Sequence, residues 1–320
     1  SGLQPVTAGG AITGTIAAVG TTSVTFRLTD NGSGLFTDRA IDIVGVTDLY
    51  AFTSHTFTNA SVTGYAGPTL SQLRTAYTPT WTDYTSNLNV TTQGIQEWTV
   101  PKDGSYTIEV FGAVGGQYTS TVSTTAAGAR MKGTFSLTKS AVLKILVGQQ
   151  GGSGTSKSGG GGGTFVATSA NVPMIVAGGG GGAGSSGGAG KSAPTSLTGT
   201  SGNSGAASGL SGYASTASGN GGWGMTGGGF YTSSVTTPNY GPTTNGQGFI
   251  QGGAGSQSTS GDTGGFGGGG GGGANGGGGA GGWSGGGNGG GSGGSYNSGT
   301  SQSNSAGVNT GHGYVIIIKL

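Results

Sequence analysis

Alternating apolar and polar positions predict β-strands along most of the chain. Val24, Phe26 and Leu28 alternate with polar side chains over residues 23–29, which is the two-residue period of a half-buried strand. Further β-branched and aromatic runs bounded by glycine occur at residues 41–46, 106–111, 134–137, 141–147, 164–167, 174–177 and 314–319. Only residues 69–76 favour a helix, of about two turns. The pattern therefore predicts an all-β protein.

Glycine is distributed unevenly, and this predicts a large insertion. Of the 81 glycines, 17 lie at or before Gly133 and 64 lie at or after Gly148. Residues 314–319 nevertheless form one more strand, and a single strand is not stable alone. This strand is expected to pair with strands between residues 98 and 177. The glycine-rich stretch 178–300 then becomes an insertion held at both ends.

A three-residue period within the insertion predicts polyglycine II helices. From Gly264 to Gly294, every third residue is glycine except Asn288. Three residues per turn is the period of the extended polyproline II conformation, which has no internal hydrogen bonds. Without Cβ atoms, neighbouring helices can approach closely enough to bond each other. The positions predicted to lie where backbones meet are Gly273, Gly276, Gly279, Gly282 and Gly285.

These patterns predict three regions. Residues 1–53 are expected to form a small N-terminal β domain for attachment, and residues 54–97 a connecting segment. Residues 98–320 are expected to form a glycine-rich β-sandwich that carries the insertion 178–300.

Composition and charge exclude several classes of function. The chain has 11 basic and 9 acidic residues and a formal net charge of +2, which is too little positive charge for a nucleic-acid binder. There are no cysteines, and no apolar run is long enough to cross a membrane. Asp38 and Asp42 are the closest approach to a metal site, and two acids in a strand and loop region are typical of solvated side chains. No metal, cofactor or membrane insertion is predicted.

Apparent catalytic motifs are explained by glycine density. Residues 184–188, 282–286 and 290–294 all fit G-x-S-x-G, but a nucleophile elbow needs a following helix and histidine and acid partners. His55 and His312 are the only histidines, and both are expected to be structural. The sequence therefore predicts that the protein is not an enzyme.

Several segments together resemble the glycine-rich extracellular domain of the anaplastic lymphoma kinase family. They are residues 104–113, 128–129, 133–137, 143–149, 159–166 and 174–182. The resemblance implies a jelly-roll-like sandwich with polyglycine helices inserted between its strands. Because the chain has no cysteine and no kinase domain, receptor signalling is not implied.

The preceding stretch is similar to a segment that accompanies this module in proteins of marine bacteria and their phages. It comprises residues 57–59, 67–70, 77, 81, 87–89 and 94–101. The expected architecture is also similar to that of the polyglycine-sandwich adhesins that cap phage tail fibres. These likenesses imply a surface protein of a tailed phage.

Aromatic residues in the insertion are candidates for ligand binding. Trp283 is expected to be a wedge packed among glycine helices. Phe230, Tyr231, Tyr240 and Phe249 are interrupted by prolines, so they are expected in a loop that binds the host surface.

The resulting expectation is a virion-surface adhesin at a fibre or tail tip. It would join other virion proteins through residues 1–53, form a homo-oligomer and bind a host glycan or outer-membrane protein. The alternatives are a structural or decoration protein of the virion, or a bacterial cell-surface protein.

Overall fold

The chain forms two compact units, Ser1–Ala51 and Phe52–Leu320. The computed structural model describes residues 2–3, 14–15, 20–29, 32–45, 48–118, 126–185, 188–203, 207–215, 224–234, 244–258, 262–273 and 275–320.

The described residues of the first unit form two small antiparallel sheets. Strand β1 (Gly2–Leu3) pairs with β2 (Gly14–Thr15), and β3 (Gly20–Thr29) pairs with β4 (Phe36–Gly45) over the full length of both strands. The predicted strand 23–29 lies within β3. Strand β4 begins and ends earlier than the pattern at 41–46 indicates.

The second unit is built on two antiparallel sheets that pack face to face. Its strands are β5 (Ser54–Phe57), β6 (Leu88–Asn89), β7 (Ile95–Thr99), β8 (Gly104–Phe111), β9 (Gly128–Leu137), β10 (Val142–Leu146), β11 (Thr164–Thr168), β12 (Pro173–Ala177), β13 (Tyr296–Asn297), β14 (Ser305–Asn309) and β15 (Tyr314–Lys319). One sheet has the order β14-β9-β8-β15-β5, and the other β13-β12-β11-β10-β7-β6. Strand β12 packs against β8 and β9 of the facing sheet. The prediction of an all-β sandwich is confirmed.

The predicted short helix is present as α1 (Leu70–Ala76). Thr69 and Gln72 form a capping box, in which each side chain bonds the backbone amide of the other residue, and Leu73 is buried. Two short 3-10 helices lie at Thr80–Asp83 and Phe249–Gln251.

The last strand lies inside a sheet. β15 pairs with β8 from Tyr314 opposite Phe111 to Lys319 opposite Tyr106. Its other side pairs with β5, which belongs to the stretch treated above as a connecting segment. Residues 54–97 in fact supply strands to both sheets, β5 to one and β6 and β7 to the other.

Outside the strands, glycine runs bond to one another with a three-residue period. The amides of residues 159–163 donate in turn to segments 149–152, 267–270 and 178–183, and residues three apart share a segment. The bonds run from the nitrogens of Gly159 and Gly162 to the oxygens of Gly152 and Gln149, from Gly160 and Gly163 to Gly270 and Gly267, and from Gly161 to Gly180. This is the pattern expected of polyglycine II, because three residues complete one turn.

The run at residues 178–183 repeats this pattern with other neighbours. Amides three residues apart again share an acceptor segment, either 278–281 or 113–116. The bonds are from Gly179 and Gly182 to the oxygens of Gly281 and Gly278, and from Gly180 and Ala183 to those of Ala113 and Gly116. The prediction that hydrogen bonds of the insertion run between segments is confirmed. We call the described residues within 112–116, 148–163 and 178–295 the glycine body.

The glycine body consists of short runs joined by tight turns. Gly267, Gly268, Gly289 and Gly290 have φ values of 102°, 83°, 76° and 89°, a left-handed conformation that favours glycine. These turns interrupt the stretch from 264 to 294, so the three-residue glycine column does not follow one continuous helix.

Candidate functional site

Phe230 and Phe249, predicted above as host-binding residues, lie in the core. Their exposed fractions are 0% and 1%, and their rings stack with centroids 4.8 Å apart. Phe165 on β11 packs against Phe249 at 5.3 Å. Their prediction as ligand contacts is wrong, because each ring face is covered by another part of the same chain.

Of the two tyrosines predicted as host-binding residues, the structure describes only Tyr231. The half-buried ring of Tyr231 packs against Trp283 at 5.6 Å and against Tyr213 at 5.5 Å, and its backbone nitrogen donates to the oxygen of Gly212 at 2.8 Å. These contacts give Tyr231 a packing role. Tyr240 lies outside the described residues.

Buried aromatic residues of the insertion, which we call the aromatic wedges, pack between the glycine body and the sandwich. One buried cluster combines strand residues with aromatic residues of the insertion, and its members are Ile95, Leu146, Phe165, Ala167, Val176, Phe230, Phe249, Phe266 and Trp283. Trp283 is 7% exposed and stacks on Tyr296 at 4.5 Å, which confirms its prediction as a wedge. The insertion is therefore fixed to the scaffold by side chains as well as by its ends.

The predicted lattice glycines are all buried. A Cβ atom added to Gly279 would lie 2.8 Å from the oxygen of Gly287 and 2.9 Å from the nitrogen of Gly227. Gly273 and Gly276 bond each other reciprocally, with nitrogen to oxygen distances of 3.1 and 2.7 Å.

Close backbone approach is not confined to that column. Cβ atoms on Gly282 and Gly285 would meet backbone atoms within 3.0 Å. So would Cβ atoms on Gly277 and Gly278, which lie outside the column. Real Cβ atoms essentially never show such distances, so each of these positions requires glycine.

Both histidines are held in structural environments. The edges of Phe57, Tyr77 and Trp81 surround the His55 imidazole at 4.6, 4.6 and 5.1 Å, and burial lowers its pKa to about 4. Burial also lowers the pKa of His312, whose Nδ1 accepts a hydrogen bond from the backbone nitrogen of Gln150 at 3.1 Å. Both rings are therefore neutral at pH 7.

Of the two acids considered as metal ligands, Asp38 takes part in an ion pair and Asp42 is exposed on β4. Asp38 accepts two hydrogen bonds of 2.8 Å from Arg27, and these bonds lower its pKa. Asp262, whose carboxylate is fully buried, pairs with Lys157 at 2.9 Å and accepts a hydrogen bond from Ser258. Within the described ranges, no three histidine or acidic side chains cluster as metal ligands would.

A cleft that the sequence analysis did not predict lies beside the wedges. Its volume is about 330 Å³, and three segments around residues 65–67, 92–93 and 244–257 form it. The lining consists of Tyr65, Ala66, Gly67, Thr92, Gln93, Thr244, Asn245, Gln247, Gln251, Gly252, Ala254, Gly255, Gln257 and Phe266. None of these residues carries a charge. Four of the chain's 11 glutamines are among them, a concentration that becomes visible only once residues 93 and 247–257 come together.

Two of the four glutamine side chains form hydrogen bonds with the described part of the chain, and two do not. Gln93 Nε2 donates to the oxygen of Gly67 at 3.0 Å, and Gln251 Nε2 donates to the oxygen of Tyr231 at 2.8 Å. The carboxamides of Gln247 and Gln257 make no hydrogen bond to the described part of the chain, and both residues are half-buried. The cleft therefore offers neutral donors and acceptors on a fixed rim.

Comparison with known proteins gives a partial similarity. No protein-family model matches the chain. Over 95 residues it is 35% identical to the leukocyte tyrosine kinase receptor of Mus musculus, a member of the anaplastic lymphoma kinase family whose extracellular region is glycine-rich. The match covers 30% of this chain and 11% of the receptor. It supports the family resemblance only over that part.

None of the helices described is long and apolar enough to span a bilayer.

Proposed function

We propose that this protein is a non-enzymatic attachment protein, an adhesin on the surface of a virus particle, which binds a host cell through the cleft side of its glycine body. The observation that carries the proposal is the uncharged, amide-lined cleft mounted on a backbone lattice. The viral source and a position at a fibre or tail tip rest on the likenesses given under Sequence analysis.

The lattice supports a binding role because it fixes the cleft before a ligand arrives. The oxygen of Tyr65 accepts from the nitrogen of Gly255 at 2.9 Å, and the nitrogen of Phe266 donates to the oxygen of Gly64 at 2.8 Å. Both bonds hold one wall of the cleft against the glycine body. A preorganised site loses less conformational entropy on binding.

Residues 1–53 are proposed to join other proteins of the particle and to support a homo-oligomer. Leu35, Phe36 and Ile41 of this region expose 73%, 58% and 48% of their surfaces. Exposed apolar side chains of this kind favour burial against a partner.

Binding of the labelled protein to cells tests the proposal. A fluorescent derivative would be incubated with a panel of marine bacterial isolates, with the dye-labelled, heat-unfolded chain as the control. We expect saturable binding to at least one isolate, changing little between about 0.01 and 0.15 M ionic strength, because few ion pairs are available for screening. The proposal would be contradicted if no isolate showed saturable binding, or if binding were lost between those two ionic strengths.

A structural or decoration role is the second candidate, and the burial of Phe230 and Phe249 favours it. Both rings are used for internal packing, so neither is available to a host ligand. An electron-microscopy map of the intact particle separates the two candidates. An attachment protein would leave the cleft open to solvent, whereas a bracing protein would have it covered by neighbouring subunits.

A further inference from the structure

We infer that the cleft is a binding site for an uncharged saccharide, with Tyr65, Gln93, Gln247, Gln251 and Gln257 as its contact residues. The inference rests on the proposed attachment function and names the class of ligand that the cleft would recognise.

The chemistry of the lining selects a neutral ligand rich in hydroxyl groups. Each carboxamide presents an oxygen acceptor and an NH₂ donor, and each sugar hydroxyl can donate and accept. A charged ligand would lose hydration in this cleft without meeting an opposite charge, which costs free energy. A purely apolar ligand would offer no hydrogen bond to the Gln247 and Gln257 carboxamides, which have no partner among the described residues.

Tyr65 supplies the apolar surface that such a ligand also needs. Its side chain is 39% exposed, although its backbone is fixed by the bond to Gly255. An aromatic ring with a polar end suits a ligand that has both apolar C–H faces and hydroxyl groups. Phe266 is 1% exposed, so it forms part of the floor and does not offer a free face.

The backbone around Gln251 keeps this wall in place. The 3-10 helix Phe249–Gln251 ends at Gly252 and Gly253, whose φ values are 106° and 72°. The amide of Gly252 bonds the oxygen of Phe249 at 3.1 Å, and the amide of Gly253 bonds that of Gly248 at 3.0 Å. Since Phe249 is locked in the core, Gln251 is held at the rim of the cleft.

The size of the cleft limits the ligand. Ligand pockets usually have volumes of about 300–1,000 Å³. A volume of about 330 Å³ lies at the lower end of this range and suits one or two sugar units of a longer glycan.

Saturation-transfer NMR and calorimetry with defined sugars test the inference. The probes are uncharged di- and trisaccharides of glucose, galactose, mannose, N-acetylglucosamine and N-acetylgalactosamine. We expect at least one to bind the full chain. Tyr65→Ala and Gln257→Ala should each weaken its affinity about 5- to 30-fold, since each removes a contact worth on the order of 1–2 kcal/mol. Tyr65→Phe keeps the ring and should bind within about threefold of wild type.

Matched controls separate a local effect from a loss of fold. Tyr84→Ala removes a tyrosine that is 63% exposed and does not line the cleft, and Gln117→Ala removes an exposed glutamine elsewhere. Both should bind as wild type does, and all variants should melt at the wild-type temperature. Gln257→Glu should also lose saccharide binding, because a carboxylate cannot donate a hydrogen bond at pH 7.

Three outcomes overturn the inference. One is that no sugar binds; another is that sugar binding is unchanged in both Tyr65→Ala and Gln257→Ala. The third is that an uncharged glycine- and proline-rich peptide binds in place of every sugar and is lost in the same variants, which would assign the cleft to a polypeptide.

Cell binding by the same variants distinguishes this inference from the proposed function. If wild type binds cells but no sugar, the saccharide site is wrong and attachment stands. If wild type binds a sugar but no cell, the attachment function is wrong and the saccharide site stands.

Discussion

The β-sandwich and the glycine body are held together by different parts of the chain. In the sandwich, strand β8 buries Tyr106, Ile108 and Val110 completely, and its backbone bonds mainly the strands on either side. In the glycine body, the run 159–163 is all glycine. Its amides and carbonyls together bond five neighbouring segments, around residues 113–116, 149–152, 178–183, 265–270 and 281. The comparison teaches that a backbone can be desolvated in two ways, within a plane or on all sides of a helix.

The glycine body depends on the β-sandwich for its stability. Ordering glycine costs about 0.5–1 kcal/mol more per residue than ordering alanine. A hydrogen bond returns only about 0.5–1.5 kcal/mol net. The glycine body also removes little apolar side-chain surface from water, so it relies on the scaffold for its fixed ends and on the aromatic wedges for hydrophobic stabilisation.

The largest effect is expected from a side chain placed inside the lattice. Gly279→Val would drive a branched side chain into the backbone around Gly227 and Gly287, which cannot move without breaking further bonds. We expect a loss of more than about 4 kcal/mol in the free energy of unfolding, or failure to fold. Urea unfolding measures this, with Gly311→Val as control because no atom lies within 4 Å of its Cβ position. Equal stability of the two variants would contradict the lattice.

The next effect concerns the junction between the two regions. Phe230→Ala removes a buried ring that packs on Phe249, Trp283 and Phe165, and should cost about 3–5 kcal/mol. The neighbouring Ile250 is 43% exposed, so Ile250→Ala should cost less than about 1 kcal/mol. By calorimetry, we further expect the sandwich and the glycine body to unfold in one thermal transition in wild type and in two in Phe230→Ala. A single, unshifted transition would mean that the wedge does not couple the regions.

Acid is expected to weaken the scaffold through His55. Burial lowers the pKa of His55 from 6.5 to about 4, so between these values the unfolded chain binds a proton that the folded chain does not. Stability from this residue is therefore complete above pH 6.5 and falls as the pH drops toward 4, by up to about 3 kcal/mol. Urea unfolding at pH 7 and pH 5 checks this. His55→Gln should reduce the dependence of the free energy of unfolding on pH. If this variant is as pH-sensitive as wild type, the dependence arises from another residue.

The smallest effect is on the heat capacity of unfolding. Exposed apolar surface raises this quantity and exposed peptide groups lower it, and ordinary proteins gain about 12–15 cal/mol/K per residue. Because the glycine body would expose mainly peptide groups, we expect a clearly lower value for this chain by scanning calorimetry. An ordinary value would mean that the two regions bury similar surfaces.

The sequence predicts the scaffold better than the site. Strands such as β8 and β15 follow from runs of β-branched and aromatic residues. The pairing of β15 follows because a single strand at the end of a glycine-rich stretch is not stable alone. The roles of Phe230 and Phe249 were missed because nearby prolines indicate a loop but do not show which face of a loop packs inward. The cleft could not be predicted, since Gln93 and Gln257 meet only after both the sandwich and the lattice have formed.

The central position of β15 has a consequence for biosynthesis. A ribosome releases β8 and β5 long before Tyr314–Lys319 emerges, yet in the finished sheet β15 lies between them. Until then the nascent chain must carry two unpaired strand edges and an unclosed glycine segment. Sequence-distant pairing of this kind slows folding. The interval between translation of residue 111 and residue 319 is therefore when the chain is most exposed to aggregation and most dependent on a chaperone.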